Sequence, residues 1–195
     1  MPATRRQFLQ ITVGAALGWH ALPRTVRALD IPQAPTSLRI LILGGTGFIG
    51  PHQVEYAMAR GHTVTLFNRG KTNPHLFPDV EKLVGDRDNN LEALKGREWD
   101  VVLDNSATLP RWVRQSTQLL KDAAQRYLFV STISVYSDYS IVGLNESSPT
   151  GIMEDPDDET LGGRNYGPMK ALCEKEAERA FPGRATIVRP GLIVG

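Results

Sequence analysis

Cysteine is almost absent: Cys173 is the single one in 195 residues. One thiol excludes an internal disulfide and any multi-cysteine metal site, and Cys173 reads as a small apolar filler on a helix. Histidine is also sparse. His20, His52, His62 and His75 are scattered without ligand spacing, so no metal site is expected. The formal net charge is only +1. Because Arg5, Arg6, Arg24 and Arg27 lie in the first 28 residues, which hold no acid, the remainder is mildly acidic. That balance gives no electrostatic case for a nucleic-acid partner. No apolar run reaches the ~20 residues of a permanent membrane span.

What the chain does have begins with an address-like N-terminus. Thr4-Arg5-Arg6-Gln7-Phe8-Leu9 precedes an uncharged stretch from Ile11 to Leu22, then Pro23 and the small-residue end Val26-Arg27-Ala28. This resembles a twin-arginine export signal. Residues 1–28 are therefore expected to be a signal removed after Ala28, and 29–37 a Pro-rich linker. The expected location is periplasmic or extracellular, reached through the twin-arginine machinery, or cytoplasmic if the signal reading fails. Residues 38–195 are expected to form one globular domain.

That domain opens with Leu38-Arg39-Ile40-Leu41-Ile42-Leu43, a nearly continuous apolar run of the kind found in a parallel strand covered on both faces. It ends in Gly44-Gly45-Thr46-Gly47-Phe48-Ile49-Gly50, and residues 51–60 then carry helical spacing up to the stop at Gly61. Glycine between a strand and a helix permits a tight turn, close approach of a pyrophosphate and helix-on-strand packing. The helix N-terminus adds free N–H groups for the phosphates. Gly44, Thr46, Gly47, Phe48, Ile49 and Gly50 are thus candidate cofactor contacts.

Further strands are expected at residues 62–67, 82–84, 99–104, 127–130 and 185–188, with helices from about Arg111 to Gln125 and from Tyr166 towards Ala180. The second strand runs into Asn68-Arg69-Gly70-Lys71, where an NAD site usually carries an acid for the adenosine ribose. Arg69 can instead face a 2′-phosphate, so NADP is favoured over NAD.

Tyr166-Gly167-Pro168-Met169-Lys170 sets a phenol and an ammonium at i and i+4 on one helical face. A free tyrosine, with a pKa near 10, is a poor base at neutral pH. A neighbouring cation favours the phenolate.

The spacing Gly44-x-x-Gly47-x-x-Gly50, the strand end Val130-Ser131-Thr132-Ile133-Ser134-Val135-Tyr136, the Tyr166/Lys170 pair and Arg189-Pro190-Gly191 together resemble the NAD-dependent epimerase/dehydratase family. These are the extended short-chain dehydrogenases/reductases. The resemblance runs from about Leu38 to the end of the chain. It implies an α/β, Rossmann-like, doubly wound parallel sheet in the order 3-2-1-4-5-6. It further implies Gly85-Asp86-Arg87 at the adenine, Ser106 and Ala107 beside the cofactor ribose and nicotinamide, and Pro190 on the nicotinamide side. Thr132 would bind the reacting substrate oxygen, with Ser134 the alternative if the register slips. Tyr166 would exchange the proton, and Lys170 would hold the ribose and tune Tyr166.

The family's sugar dehydratases carry acids at the two positions after the threonine. Ile133 and Ser134 stand here, which disfavours that chemistry. Tyr166 follows Thr132 by 34 positions, a gap that includes Glu154-Asp155-Pro156-Asp157-Asp158-Glu159. This reads as an insertion forming a solvated loop, with a lid as the alternative.

Members also carry roughly a hundred further residues that close over the substrate, so the C-terminal substrate part is expected to be absent or truncated. The functional expectation is an NAD(P)-dependent oxidoreductase or epimerase acting on a small molecule, with a nucleotide sugar as default, and compatible with a homodimer. The alternative is a non-catalytic dinucleotide-binding or RNA-binding module. It is suggested by a likeness around Phe67-Asn68-Arg69-Gly70 to chloroplast stem-loop RNA-binding proteins.

Overall fold

The computed structural model describes residues 31–105 and 107–194. The expected export signal lies outside the described residues. Contacts within the chain set off Gln33–Gly195 as one compact unit.

Six parallel strands form one sheet, with β1 Arg39–Leu43, β2 Thr63–Asn68, β3 Glu81–Val84, β4 Trp99–Asp104, β5 Ala124–Val130 and β6 Ala185–Val188. Their order is β3-β2-β1-β4-β5-β6, the doubly wound order expected. Among the described residues, three α-helices complete the frame: α1 Gly50–Ala59, α2 Pro110–Leu120 and α3 Tyr166–Ala180.

Alternation along β1 explains the layering. Ile42 faces α1 and packs with Val54, Ala57, Val64 and Leu66, all buried. Leu41 and Leu43 face the other side, in the larger core with Val102, Val113, Tyr127, Phe129, Ala177 and Phe181. Burying each large apolar side chain contributes about 1.5–3 kcal/mol. The sheet is thus fixed from both faces, and its carboxyl-terminal edge carries the loops of interest.

One expected element differs. The helix predicted up to Gln125 stops at Leu120, and Ala124-Gln125-Arg126 join β5 instead. Pairing explains the switch: Trp99 donates its N–H to Ala123 O at 2.8 Å, and Trp99 and Ala124 are register partners. Ala124 and Tyr127 are buried while Gln125 and Arg126 are exposed. Strand hydrogen bonds to β4 thereby outweigh local helix propensity.

The segment expected as a linker is bonded to the end of α1, with Gln33 Nε2 donating to Ala59 O and Ser37 Oγ to Gly61 O. The acidic run is largely exposed, but Met153 just before it is buried beside Leu109 and Met169.

Candidate functional site

The turn after β1 is built by close approach. Gly44 and Gly45 have φ of 114° and 92°, which glycine adopts readily. A Cβ on Gly50 would lie 2.5 Å from the Gly45 carbonyl carbon, so α1 starts directly against the turn because residue 50 is glycine, whereas a Cβ on Gly45 would meet Leu66 Cδ2 at 2.6 Å. A Cβ on Gly47 would meet nothing within 4 Å. Gly50 is therefore a packing position, whereas Gly47 opens onto free space. Gly45, which sequence spacing passed over, belongs with them.

Two cavities flank this turn along the carboxyl edge. The first, about 380 Å³, brings together Gly44, Thr46, Gly47, Asn68, Arg69, Asp86 and Arg87 from the ends of β1, β2 and β3. It also includes Lys71, Thr72, Asp88 and Trp112, which sequence reasoning missed. Trp112 sits in the first turn of α2, and no motif marks it. Asn68 is occupied locally: Oδ1 accepts from Gly70 N at 2.8 Å and Nδ2 donates to Gly44 O at 3.3 Å. Arg69 makes no ion pair among the described residues and is exposed at the cavity wall.

Arg87 lines the same cavity, but its guanidinium forks onto Asp104, with Nη1 at 2.9 Å and Nη2 at 2.5 Å. Asp104 has no exposed surface and also accepts from Tyr127 Oη at 2.5 Å. Burial opposes ionisation of Asp104. The Arg87 charge and the hydrogen bonds from Arg87 and Tyr127 outweigh it and hold the carboxyl below the ordinary range. Burial first, and then the Asp104 charge, push the Tyr127 phenol well above its usual value, so it remains a donor.

The second cavity, about 320 Å³, brings together Phe48, Ala107, Thr132, Tyr166, Lys170 and Pro190. Asn105, Thr108, Val130, Ser131, Gly191, Leu192 and Ile193 complete its wall. Ile49 and Gly50 lie in neither wall, and Ser106 falls outside the described residues.

Lys170 is 4% exposed, and its Nζ donates to Ala107 O at 2.9 Å and Val130 O at 2.7 Å. Burial lowers its pKa, and the nearby Asp104 charge opposes that. The ammonium thus stands between the ends of β4 and β5 with a third N–H beyond those two bonds. Tyr166, 38% exposed, begins α3. It reaches this edge because Gly167 packs against Ser134 O, where a Cβ would overlap that oxygen. Thr132 Oγ1 accepts from Ser134 N at 3.1 Å and donates to Ser134 Oγ at 3.2 Å. Ser134 therefore supports Thr132, and Thr132 is the one in the wall.

Behind the wall, Arg189 pairs with buried Glu174 of α3 at 2.7 Å, donates to Glu146 O at 3.1 Å and stacks over Tyr136. This fixes Pro190 relative to α3. Cys173 is buried, and desolvation pushes its thiol up to about 12, which disfavours the thiolate.

The family model for the NAD dependent epimerase/dehydratase family matches residues 40–195. The chain belongs to that family. Among characterised relatives, an epimerase family protein of Bos taurus is 26% identical, over 81% of this chain and 55% of that protein. Among solved structures, a UDP-galactose 4-epimerase superposes with a TM-score of 0.61 at 22% identity, covering 77% of this chain and 55% of its own. The Bordetella bronchiseptica enzyme WbmG in complex with NAD superposes with a TM-score of 0.64 at 18% identity, covering 80% and 53%. At those identities the two structures establish the fold. The chain spans about half the length of these relatives.

Proposed function

We propose that this chain is the dinucleotide-binding part of an NAD(P)-dependent oxidoreductase or epimerase that acts at a hydroxyl- or carbonyl-bearing carbon, with a nucleotide sugar as the substrate class. The observation that carries the reading is the meeting of Thr132, Tyr166 and Lys170 in one wall, continuous through Phe48 with the glycine turn.

The residues fit a nicotinamide dinucleotide. Gly47 leaves room where a pyrophosphate would approach the backbone, and the first turn of α1 follows at once with its free N–H groups. When bound, the dinucleotide supplies a hydride acceptor or donor. The first cavity would take the adenosine, with Asp86 in its wall. Arg69 and Lys71 would face a 2′-phosphate, since no acid ends β2 and the Arg87 charge is already matched by Asp104. NADP is therefore the preferred form.

In the second cavity Tyr166 would hold or accept the proton of the reacting oxygen, Thr132 would orient that oxygen, and Lys170 would place its remaining N–H towards the ribose and the phenol. The Glu/Asp-free pair Ile133 and Ser134 supports proton exchange with hydride transfer over elimination of water.

The test is a fluorescence titration of the purified full chain with NADPH and NADH. Saturable binding, tighter for NADPH, is the expected result. Equal or tighter NADH binding overturns the 2′-phosphate assignment, and absence of binding to either overturns the dinucleotide reading.

A further inference from the structure

The first turn of α3 carries Tyr166 but is not closed by its own residues. Asn165 stands at the N-cap without a side-chain bond to the helix backbone, and no acid lies in the first turn. Just upstream, Gly162 and Gly163 have φ of 98° and 55°, and a Cβ at either would meet nothing within 4 Å. A glycine pair in open space permits many backbone conformations. Contacts from outside the helix therefore decide where Tyr166 sits, and the approach of Gly167 to Ser134 is only one of them.

The β5–α3 connection supplies the others. It returns to the site at Gly151, whose N–H donates to Val135 O at 2.7 Å and whose Cα packs against Pro168 in the first turn of α3. Met153 follows, buried with Leu109 and Met169. Asp158 Oδ2 then accepts from Asn165 Nδ2 at 2.7 Å, while its Oδ1 accepts from Thr160 N at 2.8 Å. The amide of Asn165 is thus spent on the connection instead of on the helix.

The neighbouring Glu159 receives Arg111 Nε on both carboxylate oxygens, at 2.6 and 2.9 Å. The rest of the Arg111 guanidinium goes to Asp88, with Nη1 at 2.5 Å and Nη2 at 3.4 Å. One planar, rigid fork at the start of α2 therefore ties the connection to the segment between β3 and β4. Asp158, Glu159 and Arg111 line neither cavity.

We propose that Arg111, Asp158 and Glu159 are positioning residues for Tyr166: they strap residues 151–159 across the starts of α2 and α3 and thereby set the phenol in the second cavity. The chemical part of this rests on the reading of Tyr166 given above. The pairs are exposed, so each is weak and screened by salt. Releasing them frees the start of α3 while the sheet and its two cores stay folded.

The test is fluorine NMR of the full, ligand-free chain with its five tyrosines replaced by 3-fluorotyrosine, each signal assigned by a single Tyr→Phe change. Arg111→Gln is expected to shift or broaden the Tyr166 signal, with the signal of buried Tyr127 and the melting temperature held. Asp158→Ala should do the same, whereas Asp158→Asn, which keeps an acceptor for Asn165, should restore the parent signal. In the parent, about 1 M salt, where screening reaches about 3 Å, should move Tyr166 towards its position in Arg111→Gln.

A Tyr166 signal identical in Arg111→Gln and the parent overturns the proposal. So does a change in which Tyr127 moves with Tyr166 and the chain melts lower, because the pairs then hold the core and not the phenol. No ligand enters this measurement, so a parent chain that binds neither NADPH nor NADH is a separate result: it removes the dinucleotide reading, and with it the chemical role of the strap, whatever the Tyr166 signal does.

Discussion

Asp104 ends β4 fully buried between Arg87 and Tyr127, beneath the wall of the first cavity. Asp104→Asn leaves the Arg87 charge without its counterpart, and about 3–5 kcal/mol of stability is expected to be lost. The sign of the pH dependence follows from the lowered carboxyl pKa. The stabilisation is present above about pH 4, the ordinary carboxylate value, and is lost as pH falls through the lower folded value. Denaturant melts of both chains from pH 7 to pH 2 should therefore show the difference shrinking only at the acid end; a difference constant with pH would contradict the assignment.

The turn glycines give a second contrast at this scale. Gly50→Ala forces a methyl into the Gly45 backbone and should cost about 1–3 kcal/mol. Gly47→Ala meets no protein atom, so its melting temperature should hold while NADPH affinity drops. Tyr166→Phe should cut turnover about a hundredfold or more while leaving the NADPH Kd near that of the parent.

At the scale of elements, α3 is the part that makes the site. Its first turn carries Tyr166 and Lys170, its packing on the β5 end depends on Gly167, and its Glu174 holds Arg189 and hence the Pro190 wall. Gly167→Ala should push that turn away from Ser134. The expected readout is lost NADPH affinity with AMP affinity kept, since the first cavity shares no residue with α3.

The β5–α3 connection is mostly solvated but not free. Glu159 pairs with Arg111 at 2.6 Å, and Arg111 reaches Asp88 at the rim of the first cavity and stacks on Trp112. These charges are exposed and screened by salt. Glu159→Gln should leave the melting temperature nearly unchanged, yet speed proteolysis of residues 154–162 at low salt. Equal cleavage rates would show that the pair does not tether the connection.

For the whole molecule, the sheet order places every cavity residue at the carboxyl edge, where a doubly wound fold binds its ligands. No helix of the described residues is long and apolar enough to cross a membrane. We propose that residues 1–28 direct the folded chain through the twin-arginine pathway. Fused to a reporter, residues 1–37 should drive its export, and replacing Arg5 and Arg6 by lysine should abolish it; export that survives this change would refute the proposal. The chain spans about half the length of the relatives it matches.

Local patterns carried the strands and the turn because each is a short-range effect. Alternation and apolar runs set β1 and β2, and glycine and proline placed the start of α1. The Tyr166/Lys170 pair was legible for the same reason, since i and i+4 share a helical face whatever surrounds them. Where α2 gives way to β5 was not legible, because pairing with β4 decided it across 25 residues of chain from Trp99 to Ala124.

Nor did any local signal identify Asn105, Ser131, Trp112 or Gly167, or show that Arg87 is matched by Asp104 rather than free in the cavity. Their roles depend on which atoms are buried and what stands opposite them. Sequence alone determined the fold class, the family and the order of the chemistry-bearing residues; tertiary structure decided which of their polar groups are spent on the protein and which face the cavities, because burial and pairing exist only once distant strands meet.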